Sequence, residues 1–280
     1  MRALLFILAM MFAVPAFAAD KMVGKESAYA RVMRTGTLRC GYFSWPPYMS
    51  KDPNTGAFQG FIYDYVQTLA ARMGVKIDWT AEVVYGNIYQ EIKDGKIDAF
   101  CSGIWPTAGL AKLLDFTTPI GYTPLLAFVR ADDNRFDGDL NRLNDPGVKI
   151  ATMEGSIAGI IAGNRFPKAK IVETPMVSGP SSQIMDVVAG KSDVAFIDWG
   201  LVNEYAAGNP GKIRAVSGVA PLNVWGNTIA FGKHSEPLVN AVNTVTQEML
   251  YSGEIDRLFD QYNMDPKNFY RVTRPYNAQP

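Results

Sequence analysis

The chain has 280 residues, 48% of them apolar and 19% charged, with 27 basic groups against 27 acidic ones. That balance is globular and excludes a disordered, collagen-like or disulfide-dense chain. Zero formal net charge argues against a nucleic-acid binder, and one histidine with two cysteines excludes most multi-ligand zinc and iron–sulfur sites.

Arg2 is a short positive start, Ala3 to Val14 an apolar run, and Ala16-Phe17-Ala18 a small-x-small cleavage signal. Together they read as a secretory signal peptide over 1–18, too short to span a bilayer. The mature protein is expected to begin near Ala19, with no cysteine after the cut to carry a lipid. Export would place Cys40 and Cys101 in an oxidising compartment, where a disulfide persists. Both lie near predicted strand ends, so a bridge and two buried thiols are both open readings.

Strands and helices then alternate. Thr37 to Phe43 reads as a strand, stopped by Trp45-Pro46-Pro47. Gly60 to Met73 reads as a helix, with Phe61, Tyr65, Leu69 and Met73 every four residues and Gly74 to end it. Val75, Ile77 and Trp79 alternate as a strand. Asn87 to Asp94 is a short helix, and Ile97 to Cys101 a short apolar strand. This rhythm implies an α/β fold with a largely parallel sheet.

A similar series follows Ala131 to Pro146, a polar stretch. Strands are expected at Val148 to Thr152, Ile171-Val172 and Val194 to Ile197, with helices at Ser156 to Ala162 and Ser181 to Ala189. Gly95-Lys96-Ile97-Asp98-Ala99-Phe100 echoes Gly190-Lys191-Ser192-Asp193-Val194-Ala195-Phe196, which suggests two similar lobes. A strand at Thr228 to Phe231 and helices at Pro237 to Tyr251 and Glu254 to Tyr262 come last, before a loose tail.

Ligands of parallel α/β sheets bind beyond the carboxyl ends of strands. The residues at those exits are Phe43, Ser44, Trp45 and Tyr48; Ser102, Gly103, Trp105 and Thr107; Glu154, Gly155 and Ser156; and Asp198 with Trp199. They suggest a cleft with aromatic walls and one or two fixed anions. Each also has a plainer reading: Trp199 packs inward at the start of a helix, Asp198 and Ser156 cap helices, and Glu154 is solvated.

In their order and spacing these segments resemble the extracytoplasmic solute-binding proteins of the polar amino-acid type, bacterial family 3. The resemblance runs from about Thr35 to Tyr262. It rests on Pro47-Tyr48, Gly60-Phe61 with Asp64, Gly95-Lys96-Ile97-Asp98-Ala99, Thr107 before Asp115-Phe116-Thr117-Thr118-Pro119, Glu154-Gly155-Ser156, Gly190-Lys191-Ser192-Asp193 and the closing helix Gly253 to Tyr262. It implies two α/β lobes, each a mainly parallel sheet flanked by helices, hinged and closing on a small solute. Lobe I would take 19–125 and 222–270, lobe II 126–221, with a tail over 271–280. A monomer in the periplasm is expected, delivering a small polar or cationic solute to an inner-membrane ABC permease.

Carried over position by position, the resemblance makes Trp45 the aromatic that covers the ligand and Tyr85 another wall. Ser102, Gly103 and Trp105 would bind a ligand carboxylate. Ser156 and Ile157 would face the ligand from a helix start, and Asp198 would hold an ammonium. One departure stands out. The arginine that clamps the α-carboxylate in amino-acid binders falls on Leu110, and Lys112 is turned away. A standard α-amino acid is therefore doubtful unless Arg39 or Arg130 substitutes. A cationic, weakly zwitterionic or partly apolar solute fits better.

Two other classes remain as alternatives. One is an enzyme similar to cyclohexadienyl dehydratases, with Glu154 or Asp198 as general acid. The other is a sensor or accessory lobe acting through protein contacts. His234 stands alone, and no Gly-x-Ser-x-Gly or P-loop spacing occurs, so neither a metal nor a cofactor is implied.

Overall fold

The computed structural model describes residues 26–175, 178–179, 181–262, 264 and 269–272. The signal peptide expected at 1–18 and all but the first two residues of the tail expected at 271–280 lie outside them.

Apolar spacing dictates the first lobe. After α1 (Ala28–Thr35), β1 (Thr37–Tyr42) enters the interior, and a small hairpin, β2 (Ser50–Lys51) with β3 (Phe58–Gln59), leads to α2 (Phe61–Met73). Phe61, Ile62, Tyr65, Val66, Leu69 and Ala70 form the buried stripe of α2 at helical spacing. Gly74 ends the helix in the left-handed conformation, φ 68°, where a Cβ would be strained. β4 (Lys76–Glu82), a 3-10 turn at Tyr85–Asn87, α3 (Ile88–Lys93), β5 (Ala99–Ile104) and β6 (Leu114–Phe116) follow.

The second lobe begins with β7 (Tyr122–Arg130) and continues through β8 (Lys149–Met153), α4 (Ile157–Arg165), β9 (Lys170–Thr174), α5 (Ser181–Val188), β10 (Val194–Ile197), α6 (Trp199–Gly208), β11 (Ile213–Ala215) and β12 (Asn223–Gly226). The chain then returns to the first sheet as β13 (Thr228–Gly232), covered by α7 (Glu236–Tyr251) and α8 (Glu254–Gln261).

The first sheet has the order β4-β1-β5-β13-β6, and the second β11-β7-β10-β8-β9 with β12 also on β7. The pairs β1–β4, β1–β5, β8–β9 and β8–β10 are parallel. Each five-strand path holds one reversed strand, β13 in the first and β7 in the second. In both cases it is the strand by which the chain enters that sheet after crossing from the other. β5 is buried along its whole length, as a central strand with helices on both faces must be.

The disulfide Cys40–Cys101 joins β1 to β5, with Cα atoms 5.6 Å apart. Beside it the buried Asp98 accepts from both Arg31 and Arg39, fixing α1 and β1 to the start of β5. The two crossings run side by side. Ile120 N–H donates to Asn227 O at 3.1 Å and Asn227 N–H to Gly121 O at 2.9 Å.

Several sequence expectations differ in extent: the helix expected at Ser156 to Ala162 runs Ile157–Arg165, and the strand expected at Ile171-Val172 runs Lys170–Thr174. The strand expected at Ile97–Cys101 runs on to Ile104, because β13 pairs with it as far as Thr228↔Ile104. The helix expected from Asn87 begins earlier, with the 3-10 turn at Tyr85–Asn87.

Candidate functional site

A cavity of about 560 Å³ opens where the carboxyl ends of β5, β8 and β10 meet the loop after β1. From the first lobe it is lined by Phe43, Trp45, Tyr85, Tyr89, Ile104, Trp105 and Thr107, and by Leu110 and Leu113 from the segment before β6. From the second it receives Leu125, Met153, Gly155 to Ala158, Ile160, Gln183 and Phe196 to Asp198, with Leu201. The wall is overwhelmingly apolar and aromatic.

Trp45 is one of the cavity's aromatic walls. Its ring lies 4.2 Å from that of Tyr48 and meets Trp105 edge-on at 5.7 Å. Gly103 makes this possible: at φ 90° a Cβ would stand 2.7 Å from Ile62 Cδ1 and 3.4 Å from the Trp45 ring. Ser102, wholly buried, accepts from Phe43 N–H at 2.7 Å and so fixes the backbone leading into Trp45. Trp105 stacks on Trp225 at 6.1 Å and donates to Asn227 Oδ1 at 3.1 Å, which ties the aromatic wall to the crossing segments. Asn227 in turn donates to Thr123 Oγ1 at 2.9 Å.

Asp198 is the only charged residue among the described residues that line the cavity. It caps α6, with Oδ1 accepting from Gly200 N–H at 2.9 Å, while Oδ2 accepts from Trp45 Nε1 at 3.3 Å. Only 3% of the residue is exposed. Burial pushes its carboxyl up to about 6 despite these donors. The phenol of Tyr85 is pushed up by burial and then by the charge of Asp198; its hydroxyl donates to Gly103 O at 3.3 Å.

The other expected site residues divide clearly. Trp45, Tyr85, Trp105, Thr107, Ser156 and Asp198 line the cavity together. Ser156 also caps α4, accepting from Gly159 N–H, and Thr107 accepts from Leu110 N–H. Ser102 and Gly103 lie within β5 rather than beyond it, and support the wall from behind. Glu154 is exposed outside the cavity, its N–H donating to Thr174 O. Trp199 begins α6 and packs edge-on against Phe128 at 4.9 Å, away from the cavity. The two arginines considered as replacement clamps are held elsewhere. Arg39 is bound to Asp98, and Arg130 donates to Val187 O and Ser192 O. Leu110 itself lines the cavity, whereas Lys112 is exposed and does not.

Several lining residues were not anticipated. Tyr89, four residues after Tyr85 on the same helical face, was open to that spacing argument. Leu113, Leu125, Gln183 and Leu201 arrive from segments with no local signal of a site.

The model of the bacterial extracellular solute-binding proteins, family 3, matches residues 38–265. The chain is 22% identical over 218 residues to a probable histidine-binding protein of Neisseria gonorrhoeae, covering 77% of this chain and 78% of that one. It is 23% identical over 221 residues to the ABC transporter arginine-binding protein 1 of Escherichia coli K12, covering 78% and 87%. Among solved structures, an ancestral amino acid-binding protein described as a precursor of cyclohexadienyl dehydratase superposes with TM-score 0.73 at 27% identity, over 85% of this chain and 99% of that one. An arginine-binding protein variant from T. maritima gives 0.70 at 23% identity, over 85% and 100%, which shows the shared fold.

Proposed function

Given that the chain belongs to the bacterial extracellular solute-binding proteins of family 3, we propose that it captures a small solute between its lobes in the periplasm, after loss of its signal peptide, and presents it as a monomer to an ABC permease. The observation that carries this reading is the link from Trp45 of the first lobe to Asp198 of the second across the cavity. A solute seated there touches both lobes at once, so its binding energy favours the closed arrangement over the open one. Aromatic walls supply contact area, and Asp198 supplies a counter-charge for a cationic group. Among the described residues no helix is long and apolar enough to cross a membrane. The relatives named above are a probable histidine-binding protein and an arginine-binding protein, whose named solutes have side chains that are cationic or readily so. Thermal-shift titration against cationic, zwitterionic, aromatic and neutral solutes tests the reading: a ligand of the native state raises the melting temperature. Silence across the whole panel would refute it.

A second reading, an enzyme of the dehydratase kind, draws on the solved neighbour described as a precursor of such an enzyme. Glu154, outside the cavity, is withdrawn as its acid, leaving Asp198. The absence of lysine and arginine among the described lining residues weighs against a dicarboxylate substrate. Assaying prephenate for loss of water and carbon dioxide separates the two readings, turnover abolished by Asp198→Asn being the result that would favour the enzyme.

A further inference from the structure

We propose that the solute is an apolar primary amine that carries no carboxylate, and that the cavity rejects the α-amino acid of the same side chain. This rests on the solute-binding reading above and narrows it.

The argument begins with charge. Asp198 gives the cavity one acid, and no described lysine or arginine lines it to balance a second. The candidates nearby are unavailable: Arg39 is committed to Asp98, Arg130 to two carbonyls, and Lys112 lies outside. An ammonium entering this space finds a carboxylate. A zwitterion brings a carboxylate that must leave water with no cation to receive it, the costlier of the two desolvations.

The carboxylate is also built to accept. Gly200 N–H donates to Oδ1 and the Trp45 indole to Oδ2, and the Leu201 backbone N–H also donates to the Asp198 carboxylate. A carboxylate has about four lone-pair positions, so capacity for a ligand N–H remains. Phe43, Trp45 and Tyr85 line the same cavity, and aromatic rings attract cations at their faces.

Leu110, Leu113, Ile157, Ile160 and Phe196 line the same cavity and offer apolar surface for the body of the amine. Thr107, Gln183 and the start of α4 with Ser156 are the uncharged polar features of the lining. A helix N-terminus carries about half a positive charge, too little to balance a full carboxylate in an apolar cavity, though sufficient for a hydroxyl or carbonyl.

Isothermal titration of the mature protein with phenethylamine, tyramine and tryptamine, each beside phenylalanine, tyrosine and tryptophan, tests the proposal. The amine of each pair should bind at least about 100-fold more tightly than its amino acid. Asp198→Asn should cost the amines at least about tenfold while leaving the circular dichroism unchanged. Leu110→Arg should shrink the ratio by admitting the carboxylate. Amino acids that match or exceed their amines, or amines that do not bind, would overturn the assignment. A failure of the solute-binding reading itself looks different, since it requires silence across the broader panel as well.

Discussion

The Trp45 indole donates to the Asp198 carboxylate at 3.3 Å, where the loop after β1 meets the first turn of α6. The bond has two consequences that pull against each other. It helps hold the lobes together, and it keeps an acid in a place where its charge is costly.

The carboxyl of Asp198 is pushed up to about 6 by burial, above its ordinary value of 3.8. Below about pH 4 the folded and unfolded forms are both protonated there and no penalty exists. Between about pH 4 and 6 the unfolded form gives up this proton while the folded one keeps it, so by pH 6 and above the ligand-free form has lost roughly 3 kcal/mol. Asp133 and Asp137, held down by hydrogen bonds from Arg135 and Arg214, have the opposite slope and lose their contribution as pH falls. The readout is therefore the difference between wild type and Asp198→Asn in thermal unfolding from pH 4 to 8. Without ligand the variant should be the more stable at pH 7.5, yet show a smaller ligand-induced shift than the wild type at the same ligand concentration. Cation affinity of the wild type should fall below pH 6, where Asp198 takes up its proton.

Gly200 faces the same loop. A Cβ there would lie 2.9 Å from the Tyr48 ring, 3.0 Å from the Pro46 carbonyl oxygen and 2.9 Å from Asp198 Oδ1. Gly200→Ala should push the loop off α6 and lower ligand affinity at least about tenfold by depopulating the closed form. The unliganded stability should hardly change, since alanine favours the helix. Calorimetry gives the affinity, and a larger radius of gyration in solution scattering would accompany it.

Asn227 binds both crossings and holds Trp105 as well. Replacing it by alanine leaves the Trp105 indole and the Thr123 hydroxyl without this partner. A destabilisation of about 2 kcal/mol is expected, with weaker ligand binding, measured by urea unfolding and titration.

The Cys40–Cys101 bridge closes a separation of 61 residues. Loop-closure entropy predicts that the double replacement by alanine costs about 4 kcal/mol. Urea unfolding of wild type and double variant measures it. Ligand affinity should survive, because neither cysteine lines the cavity.

The elements set by local pattern were legible. The Val194–Ile197 strand is a four-residue apolar run and occupies those residues in the structure. The stripe of α2 and its closing Gly74 follow the four-residue spacing. What escaped depends on distant partners. β5 extends to Ile104 because a strand more than 120 residues later lies beside it. Strand exits located the cavity but did not decide which neighbour would face it. Asp198 and Trp199 are adjacent, yet the carboxylate turns in to cap α6 while the indole turns back to Phe128. Glu154 and Ser156 part in the same way, one exposed and one at the start of α4. Leu125 and Leu201 reach the wall only through the packing of the two lobes.

The central place of β13, between β5 and β6, reaches beyond binding. Until residues 228–232 have been made, the first sheet is missing an inner strand, and the exposed edge of β5 has nothing to pair with on that side. Long-range pairing of this kind delays folding. A chain leaving the ribosome N-terminus first therefore cannot complete its leading sheet until its last fifth has emerged.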